Sequence, residues 1–281
     1  MSLGSWARVL CCVVGVVVAQ GAAGADTARS PDDRAWSDFL EWLKTAPQAS
    51  GPAEILNGYR AAVRSRGGPA AEADAQLGTV MRLMRERTDA WVIIFRNVYG
   101  SKTPNFSVAP SPLLMSAVDG RRPGRALDVG MGQGRNAVAL AQKGWQVTGF
   151  DISDEGLALA KAGAAQAGVS ITAVLARDDQ FDYGVAQWDL IAVIYGPGSI
   201  ADARFVERLH AALKPGGIVV VESFASPKAA PLRRPVDIDP TDLLRAFAAF
   251  RLLRFEDADG TSEWDPQTTP LVRMVAQKRP G

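Results

Sequence analysis

Three closely spaced glycines are the first residues of this chain whose type and spacing could hold a nucleotide-like ligand. Gly130, Gly132 and Gly134 follow a short apolar segment, residues 126–129, and precede a helical pattern that begins near Asn136. Glycine lets a backbone turn tightly, and it lets a ligand approach closer than a Cβ atom would permit. The order of strand, glycine turn and helix predicts the first βα unit of a nucleotide-binding sheet.

The carboxylate of Asp128 indicates the charge of that ligand. Gly132, Gly134 and Ala137 fit the G-x-G-x-x-G/A pattern of dinucleotide sites, in which a pyrophosphate lies at the helix N-terminus. However, the spacing from the strand end is G-x-G-x-G, starting at Gly130, and a carboxylate beside the turn would repel a pyrophosphate. It would attract a ligand with an amino group and a sulfonium, such as S-adenosylmethionine (SAM).

A second carboxylate, Asp151, ends the apolar run 145–151 and follows Gly132 by 19 residues. An acid at the end of the second strand can accept hydrogen bonds from both ribose hydroxyls, in NAD sites as in SAM sites. The alternative is that Asp151 caps the helix that starts near Ile152 and Ser153. Beside a glycine turn we favour ribose binding.

Four segments occur in a fixed order along the chain: LDVGMGQGRNAVALA, GFDIS, WDLIAVIYG and LKPGGIVVVES. In these four segments, residues 95–278 resemble the class I SAM-dependent methyltransferases. The motif GQGRN resembles the corresponding motif of the branch that contains tellurite-resistance and thiopurine-type methyltransferases. The resemblance implies an α/β, Rossmann-like fold whose seven-stranded sheet is mostly parallel and has an antiparallel last strand. It also implies SAM as the methyl donor.

The resemblance further implies which residues touch the cofactor. An acid four residues before Phe181 would accept the adenine amino group, but Arg177 stands there, so Asp178 is the first candidate; a turn-forming role is the alternative. Tyr99 and Phe106 are expected near the methionine part, or else as packing residues. The complete predicted cofactor set is Asp128, Gly130, Met131, Gly132, Gly134, Asn136, Asp151, Ile152, Asp178, Asp179, Tyr195 and Tyr99.

The acceptor is predicted to be a small molecule with a reactive sulfur, selenium, tellurium or oxygen atom. Tyr195-Gly-Pro follows the fourth predicted strand, where methyltransferases of amide or exocyclic nitrogens usually carry Asn/Asp-Pro-Pro-aromatic. Methylation at cytosine C5 needs a cysteine, and the chain has cysteine only at Cys11 and Cys12. The single histidine, His210, is predicted to interact with a helix C-terminus. We assign no catalytic residue and no metal ligand.

The residues before the sheet are predicted to form a helical cover. Residues 26–100 show helical patterns over 32–43, 53–66 and 70–98, and residues 101–281 make the methyltransferase domain. The tryptophans of this extension could form a substrate box, but aromatic residues at helical spacing are more often packing residues. We therefore predict packing for Trp36, Trp42 and Trp91.

Residues 1–25 have the three parts of a secretory signal peptide: a positive charge, an apolar run and the A-x-A site at residues 23–25. The run is shorter than the ~20 residues of a membrane span. We predict an exported or periplasmic protein. An N-terminal membrane anchor, or a cytoplasmic protein with a misassigned start, are the alternatives.

The charge balance argues against a nucleic-acid partner. The 281 residues include 31 basic and 30 acidic side chains, so the chain has no strong field for nucleic acid or an anionic membrane. Two other functions stay open: an exported, non-catalytic protein that binds a metabolite or partner, and an NAD-linked oxidoreductase. Asp128 and the missing Tyr-x-x-x-Lys or histidine set disfavour the oxidoreductase. The sequence does not predict the oligomeric state.

Overall fold

The computed structural model of the protein describes residues 29–49, 51–67, 69–101, 106–230, 233–262, 264 and 268–280. The predicted signal peptide lies outside these ranges, as do Cys11 and Cys12. The described residues contain seven strands: β1 (Arg125–Val129), β2 (Gln146–Asp151), β3 (Thr172–Leu175), β4 (Trp188–Ile194), β5 (Leu213–Phe224), β6 (Arg251–Thr261) and β7 (Thr268–Gln277).

All seven strands belong to one sheet with the order β3-β2-β1-β4-β5-β7-β6. The pairs from β3 to β5 are parallel, whereas β7 is antiparallel to both of its neighbours. The predicted Rossmann-like, mostly parallel sheet is therefore confirmed. The strand order changes direction at β1 and β4, and ligands of such sheets bind beside the carboxyl ends of the strands at that point.

The helices of the described residues form two groups. The first precedes the sheet: α1 (Pro31–Thr45), α2 (Pro52–Ser65), α3 (Ala70–Leu83) and α4 (Asp89–Tyr99). The second flanks the sheet: α5 (Pro112–Val118), α6 (Arg135–Gln142), α7 (Asp154–Gln166), α8 (Ala203–Ala212) and α9 (Pro240–Ala246). Alternate residues of β1 enter different apolar clusters on the two sheet faces, Leu127 in one and Ala126 in the other. No described helix is both long and apolar enough to cross a membrane.

The first four helices enclose an apolar core of their own, as the predicted helical extension requires. Phe39 and Tyr59 are fully buried there and meet edge to face, with ring centroids 4.8 Å apart. Trp36 lies in the same core, and Trp42 packs on Phe39 and Tyr59. Both tryptophans are packing residues, in agreement with their helical spacing.

The single helix predicted over residues 70–98 is wrong, because α3 ends at Leu83 and α4 begins at Asp89. No glycine or proline marks this break, which is accompanied by contacts from distant parts of the chain. The Nε1 of Trp36 donates to Asp89 at 3.3 Å, and Arg87 forms an ion pair with Asp33 at 2.8 Å. The break turns α4 toward the sheet.

A buried carboxylate at the carboxyl end of β5 connects the sheet to α5. Glu222 at the end of β5 accepts a hydrogen bond from Nε of Arg273 on β7 at 2.7 Å, and one from Oγ of Ser111 at 2.9 Å. The backbone N–H of Ser111 in turn donates to Oδ1 of Asn136 at 2.9 Å. This network joins β5, β7, α5 and the start of α6 at the edge where ligands are expected.

We expect Glu222→Ala to lower the free energy of unfolding by about 3 kcal/mol, because the half-buried guanidinium of Arg273 would lose its carboxylate. Urea denaturation measures this loss. Lys44→Ala, which breaks an exposed ion pair with Glu41, is the control and should change stability little. Equal losses in the two variants would contradict the role given to Glu222.

Candidate functional site

A pocket opens at the carboxyl ends of β1, β2 and β4. Residues of helix α4 and Trp264, which lies between β6 and β7, also line it. Of the predicted cofactor residues, nine line this pocket: Tyr99, Gly130, Met131, Gly132, Asn136, Asp151, Ile152, Asp178 and Tyr195. The structure therefore brings most of the predicted set to one place. Asp128, Gly134 and Asp179 do not line the pocket.

The glycine turn has a left-handed backbone at each of its three glycines, with φ of 69° at Gly130, 52° at Gly132 and 78° at Gly134. A Cβ atom at Gly134 would lie 2.6 Å from the Cβ of Ala160 on α7. Gly134 thus permits close packing of α6 on α7, not close approach of a ligand. A Cβ atom at Gly132 would strike the hydroxyl of Tyr99, so this glycine admits the end of α4.

The carboxylate of Asp151 is fixed by two backbone amides, with Oδ2 accepting from Gly132 at 2.8 Å and Oδ1 from Ser153 at 2.9 Å. Burial raises the pKa of Asp151. Each carboxylate oxygen can accept more than one hydrogen bond, so capacity remains for ligand hydroxyls. The cap of α7 is instead Ser153, whose Oγ accepts from Gly156 at 3.1 Å. The capping alternative for Asp151 is therefore wrong.

Asp128 lies beneath the glycine turn. Its side chain is buried, and its Oδ2 has no hydrogen-bond partner among the described residues. Burial is the main cause that raises the pKa of Asp128 to about 7, and Arg135 acts in the opposite direction. Asp128 is thus placed to act on a ligand through its charge, not through the direct contact that we predicted.

The two adjacent acids after β3 have different environments. Asp178 lines the pocket, and its carboxylate accepts from Oγ of Ser199 at 2.8 Å. Asp179 is exposed and forms an ion pair with Arg177 at 3.0 Å. The geometry therefore supports Asp178, the first candidate for the adenine contact, and removes Asp179 from the site.

An aromatic wall follows α4 along the pocket. Trp91, Phe95 and Tyr99 lie one helical turn apart and stack in sequence, with centroid distances of 5.5 and 6.0 Å. Trp264, from the connection between β6 and β7, contacts Phe106 at 5.1 Å. Trp264 also contacts Tyr195 at 5.6 Å. We call Trp91, Phe95, Phe106, Tyr195 and Trp264 the aromatic box.

The sequence did not identify three members of the aromatic box. Trp91 was predicted to be a packing residue and does pack against the core of the first four helices, but it also lines the pocket. Phe95 and Trp264 were not singled out. The four-residue spacing from Trp91 through Phe95 to Tyr99 was a usable signal, because it places all three on one helix face. For Trp264 the sequence offers no local signal, since its position depends on the pairing of β6 with β7.

Two other residues complete the account of the predicted site. Tyr195 has a positive φ of 53°, a strained conformation for a residue with a side chain and one that often occurs at functional sites.

His210 lies in the last turn of α8, where its ring packs on Phe250 and burial lowers its pKa. A neutral ring interacts little with a helix C-terminus, so the predicted charge interaction is weak. Within the described ranges, no group of three potential metal-binding side chains occurs.

Comparisons with known proteins agree with this geometry. Residues 126–217 match the family model described as a methyltransferase domain. The ubiquinone biosynthesis O-methyltransferase of Paramagnetospirillum magneticum is 34% identical over 93 residues, which are 33% of this chain and 37% of that protein. The match thus spans little more than a third of the curated relative's length.

Solved structures share the fold. A SAM-dependent methyltransferase from Methanosarcina mazei has a TM-score of 0.52 at 17% identity, covering 62% of this chain and 100% of its own. A structure described as the conversion of a disulfide bond into a thioacetal group during echinomycin biosynthesis has a TM-score of 0.54 at 18% identity, covering 68% and 91%. At these identities the likeness shows the fold alone. The tellurite-resistance and thiopurine branch stays a prediction.

We expect Gly132→Ala to destabilise the protein strongly, and less so when Tyr99→Phe has removed the hydroxyl that its Cβ would strike. Residues in contact typically couple by about 1 kcal/mol in a double-mutant cycle. Urea denaturation of the four proteins gives the coupling energy.

Gly168→Ala is the matched control, since Gly168 has a similar φ of 67° but nothing within 4 Å of its Cβ position. Its loss of stability should be the same with Tyr99 and with Phe at position 99. Additive effects of Gly132→Ala and Tyr99→Phe would show that the two residues do not touch.

Proposed function

We propose that this chain is a methyltransferase that uses SAM to methylate a small molecule. One observation carries the proposal: a single pocket joins the glycine turn, Asp151 and Asp178 to an aromatic box, within a chain whose residues 126–217 match a methyltransferase domain. SAM contributes a methyl group on a positively charged sulfur. The pocket has one end suited to a nucleoside and another suited to an acceptor.

The chain's own polar groups suit the parts of SAM. The fixed carboxylate of Asp151 accepts from the ribose hydroxyls, and Asp178 accepts from the adenine amino group. The buried charge of Asp128 beneath the turn attracts the ammonium and sulfonium groups. The ring of Tyr99, whose hydroxyl lies against Gly132, adds an aromatic surface to the pocket, which favours a sulfonium by cation–π attraction.

The reaction is an in-line displacement. A lone pair of the acceptor's sulfur, selenium, tellurium or oxygen atom forms a bond to the methyl carbon. The bond from that carbon to sulfur breaks, and its electron pair stays on sulfur, which becomes a neutral thioether. Any proton on the acceptor atom leaves to water. The protein holds the two reactants in line and excludes water, and such orientation can lower a barrier by about 7–11 kcal/mol.

The acceptor atom, the branch and the location are finer parts of the same proposal. The motif GQGRN supports membership of the tellurite-resistance and thiopurine branch, in which the acceptor would be a small nucleophile. The signal-peptide pattern of residues 1–25 supports export. An exported enzyme would have to obtain SAM outside the cytoplasm.

We expect Asp151→Ala to weaken SAM binding at least tenfold, about 1.4 kcal/mol, because the acceptor for the ribose hydroxyls is lost. Isothermal titration calorimetry measures the affinity. Asp179→Ala is the matched control, since Asp179, which adjoins Asp178 in sequence, is exposed and lies outside the pocket. Labelled SAM incubated with small thiols, tellurite, selenite and phenols should then give a methylated product.

Absence of SAM binding to the wild-type protein would overturn the proposed function. Binding without any labelled product would instead favour the non-catalytic alternative. An equal loss of affinity in the Asp151 and Asp179 variants would remove Asp151 from the site.

We expect SAM affinity to rise as the pH increases through about 7, and to level off at higher pH. The pKa of Asp128 without ligand is about 7, and a cationic ligand favours its ionised form, so protonation at lower pH opposes binding. Titrations at pH 6 in two buffers of different ionisation enthalpy should show release of up to one proton. Asp128→Asn should bind SAM more weakly and without this pH dependence; a slope that survives in the variant would exclude Asp128 as its source.

A further inference from the structure

The far end of the pocket lies away from the glycine turn. Helix α4 runs along the pocket from Tyr99, which touches Gly132, to Trp91 two turns earlier, a distance of about 12 Å. The Nε1 of Trp91 donates to the carbonyl oxygen of Met84 at 2.9 Å, and Arg85, the residue after Met84, lines the same pocket as Trp91. The pocket therefore passes from the cofactor end, through the aromatic box, to an arginine.

The aromatic box favours a flat molecule. Its rings come from four separate parts of the chain, yet each lies within 5.1 to 6.4 Å of another ring of the set. Aromatic faces bury large apolar areas and prefer offset or edge contacts with other rings. The middle of the pocket is thus suited to a planar, aromatic body.

The arginine at the far end has no carboxylate partner in the described part of the chain. Arg85 donates instead to the carbonyl oxygen of Arg233 at 2.7 Å. Burial and the neighbouring charge of Arg233 lower the pKa of Arg85, and the more distant charge of Asp237, which is paired with Arg234, acts in the opposite direction. Arg233 has a buried Nε without a hydrogen-bond partner among the described residues. Two guanidinium groups that repel each other in this way would be stabilised by an anion between them.

Neighbouring cations are already neutralised. A second cavity, beside the first, shares Arg85 and also contains Arg82, Lys228 and Arg233. Arg82 forms an ion pair with Asp32, and Lys228 forms one with Asp242 at 3.2 Å. Arg85 and Arg233 are therefore the cations of this described surface that lack such a carboxylate, and Arg85 is the one that lines the pocket.

We infer that the methyl acceptor is a planar aromatic compound carrying an anionic oxygen group, whose ring lies in the aromatic box and whose anion pairs with Arg85 and Arg233. The inference rests on the proposed function and adds the substrate class. Guanidinium groups bind carboxylates through two parallel hydrogen bonds, which fix the direction of the bound molecule. The reacting atom would then point toward the glycine turn, where the methyl group is expected.

The test uses the full chain saturated with S-adenosylhomocysteine, the demethylated cofactor. Two planar acids of different length, 4-hydroxycinnamate and 6-hydroxy-2-naphthoate, are titrated by calorimetry, together with their neutral methyl esters and 3-cyclohexylpropionate. We expect at least one planar acid to bind tenfold or more tightly than its ester and than the non-planar acid.

Variants identify the groups that recognise the anion. Arg85→Gln should remove the preference for acid over ester, whereas Arg85→Lys, which keeps the charge but loses the paired hydrogen bonds, should keep only part of it. Arg82→Gln is the matched control, because Arg82 lies in the neighbouring cavity but is already paired. Unchanged SAM affinity and unfolding midpoint in each variant show that the fold is intact; if Arg85→Gln unfolds, Arg233→Gln replaces it with the same expected result.

The outcomes separate this inference from the proposed function. SAM binding without tighter binding of either planar acid would overturn the inference and leave the methyltransferase proposal standing. An effect of Arg82→Gln equal to that of Arg85→Gln would also overturn it, because general charge would then explain the preference. Absence of SAM binding would overturn the proposed function itself.

Discussion

The pocket depends on one buried carboxylate. Asp151 accepts hydrogen bonds from the amides of Gly132 and Ser153, and it thereby ties the glycine turn after β1 to the start of α7 after β2. A single side chain therefore holds together two connections of the sheet, the one after β1 and the one after β2. Because the carboxylate is buried, each of these hydrogen bonds matters more than it would in water. Asp151 also lines the pocket, so the residue that organises this edge is placed to meet a ligand as well.

Glycines decide how the helical cover meets the sheet. Tyr99 at the end of α4 lies against Gly132, and its ring also lies against Gly156, the glycine in the first turn of α7. A side chain at either position would push α4 away and open the pocket. The cover has its own apolar core, so these close approaches, together with the exposed ion pair between Arg96 and Glu155, set its position over the site.

Charge changes sign along the pocket. Acidic groups gather at the glycine turn, where Asp151 and Asp178 line the pocket and Asp128 lies beneath it. Arg85 lies at the opposite end, beyond the aromatic box. A cationic cofactor and an anionic acceptor would each be attracted to their own end and repelled from the other. Such a field orients both reactants before any close contact forms. In the proposed reaction, the aromatic rings between the two ends would keep the reacting atoms away from water.

The sequence by itself determined the parts that depend on local order. The sequence shows a strand, a glycine turn and a helix from residue 125, and an acid at the end of β2. These features locate the ligand-binding edge of the sheet and identify Asp151, because strand ends and positive φ values favour particular residue types. Only the tertiary structure distinguished Asp178 from Asp179, showed that Gly134 serves the packing of α6 on α7, separated α3 from α4 and brought Phe95 into contact with Trp264. Each of those outcomes depends on which side chains from distant segments come into contact. The residues adjacent in sequence contain no information about such contacts. Side-chain direction is decided by packing, and packing is a property of the folded chain.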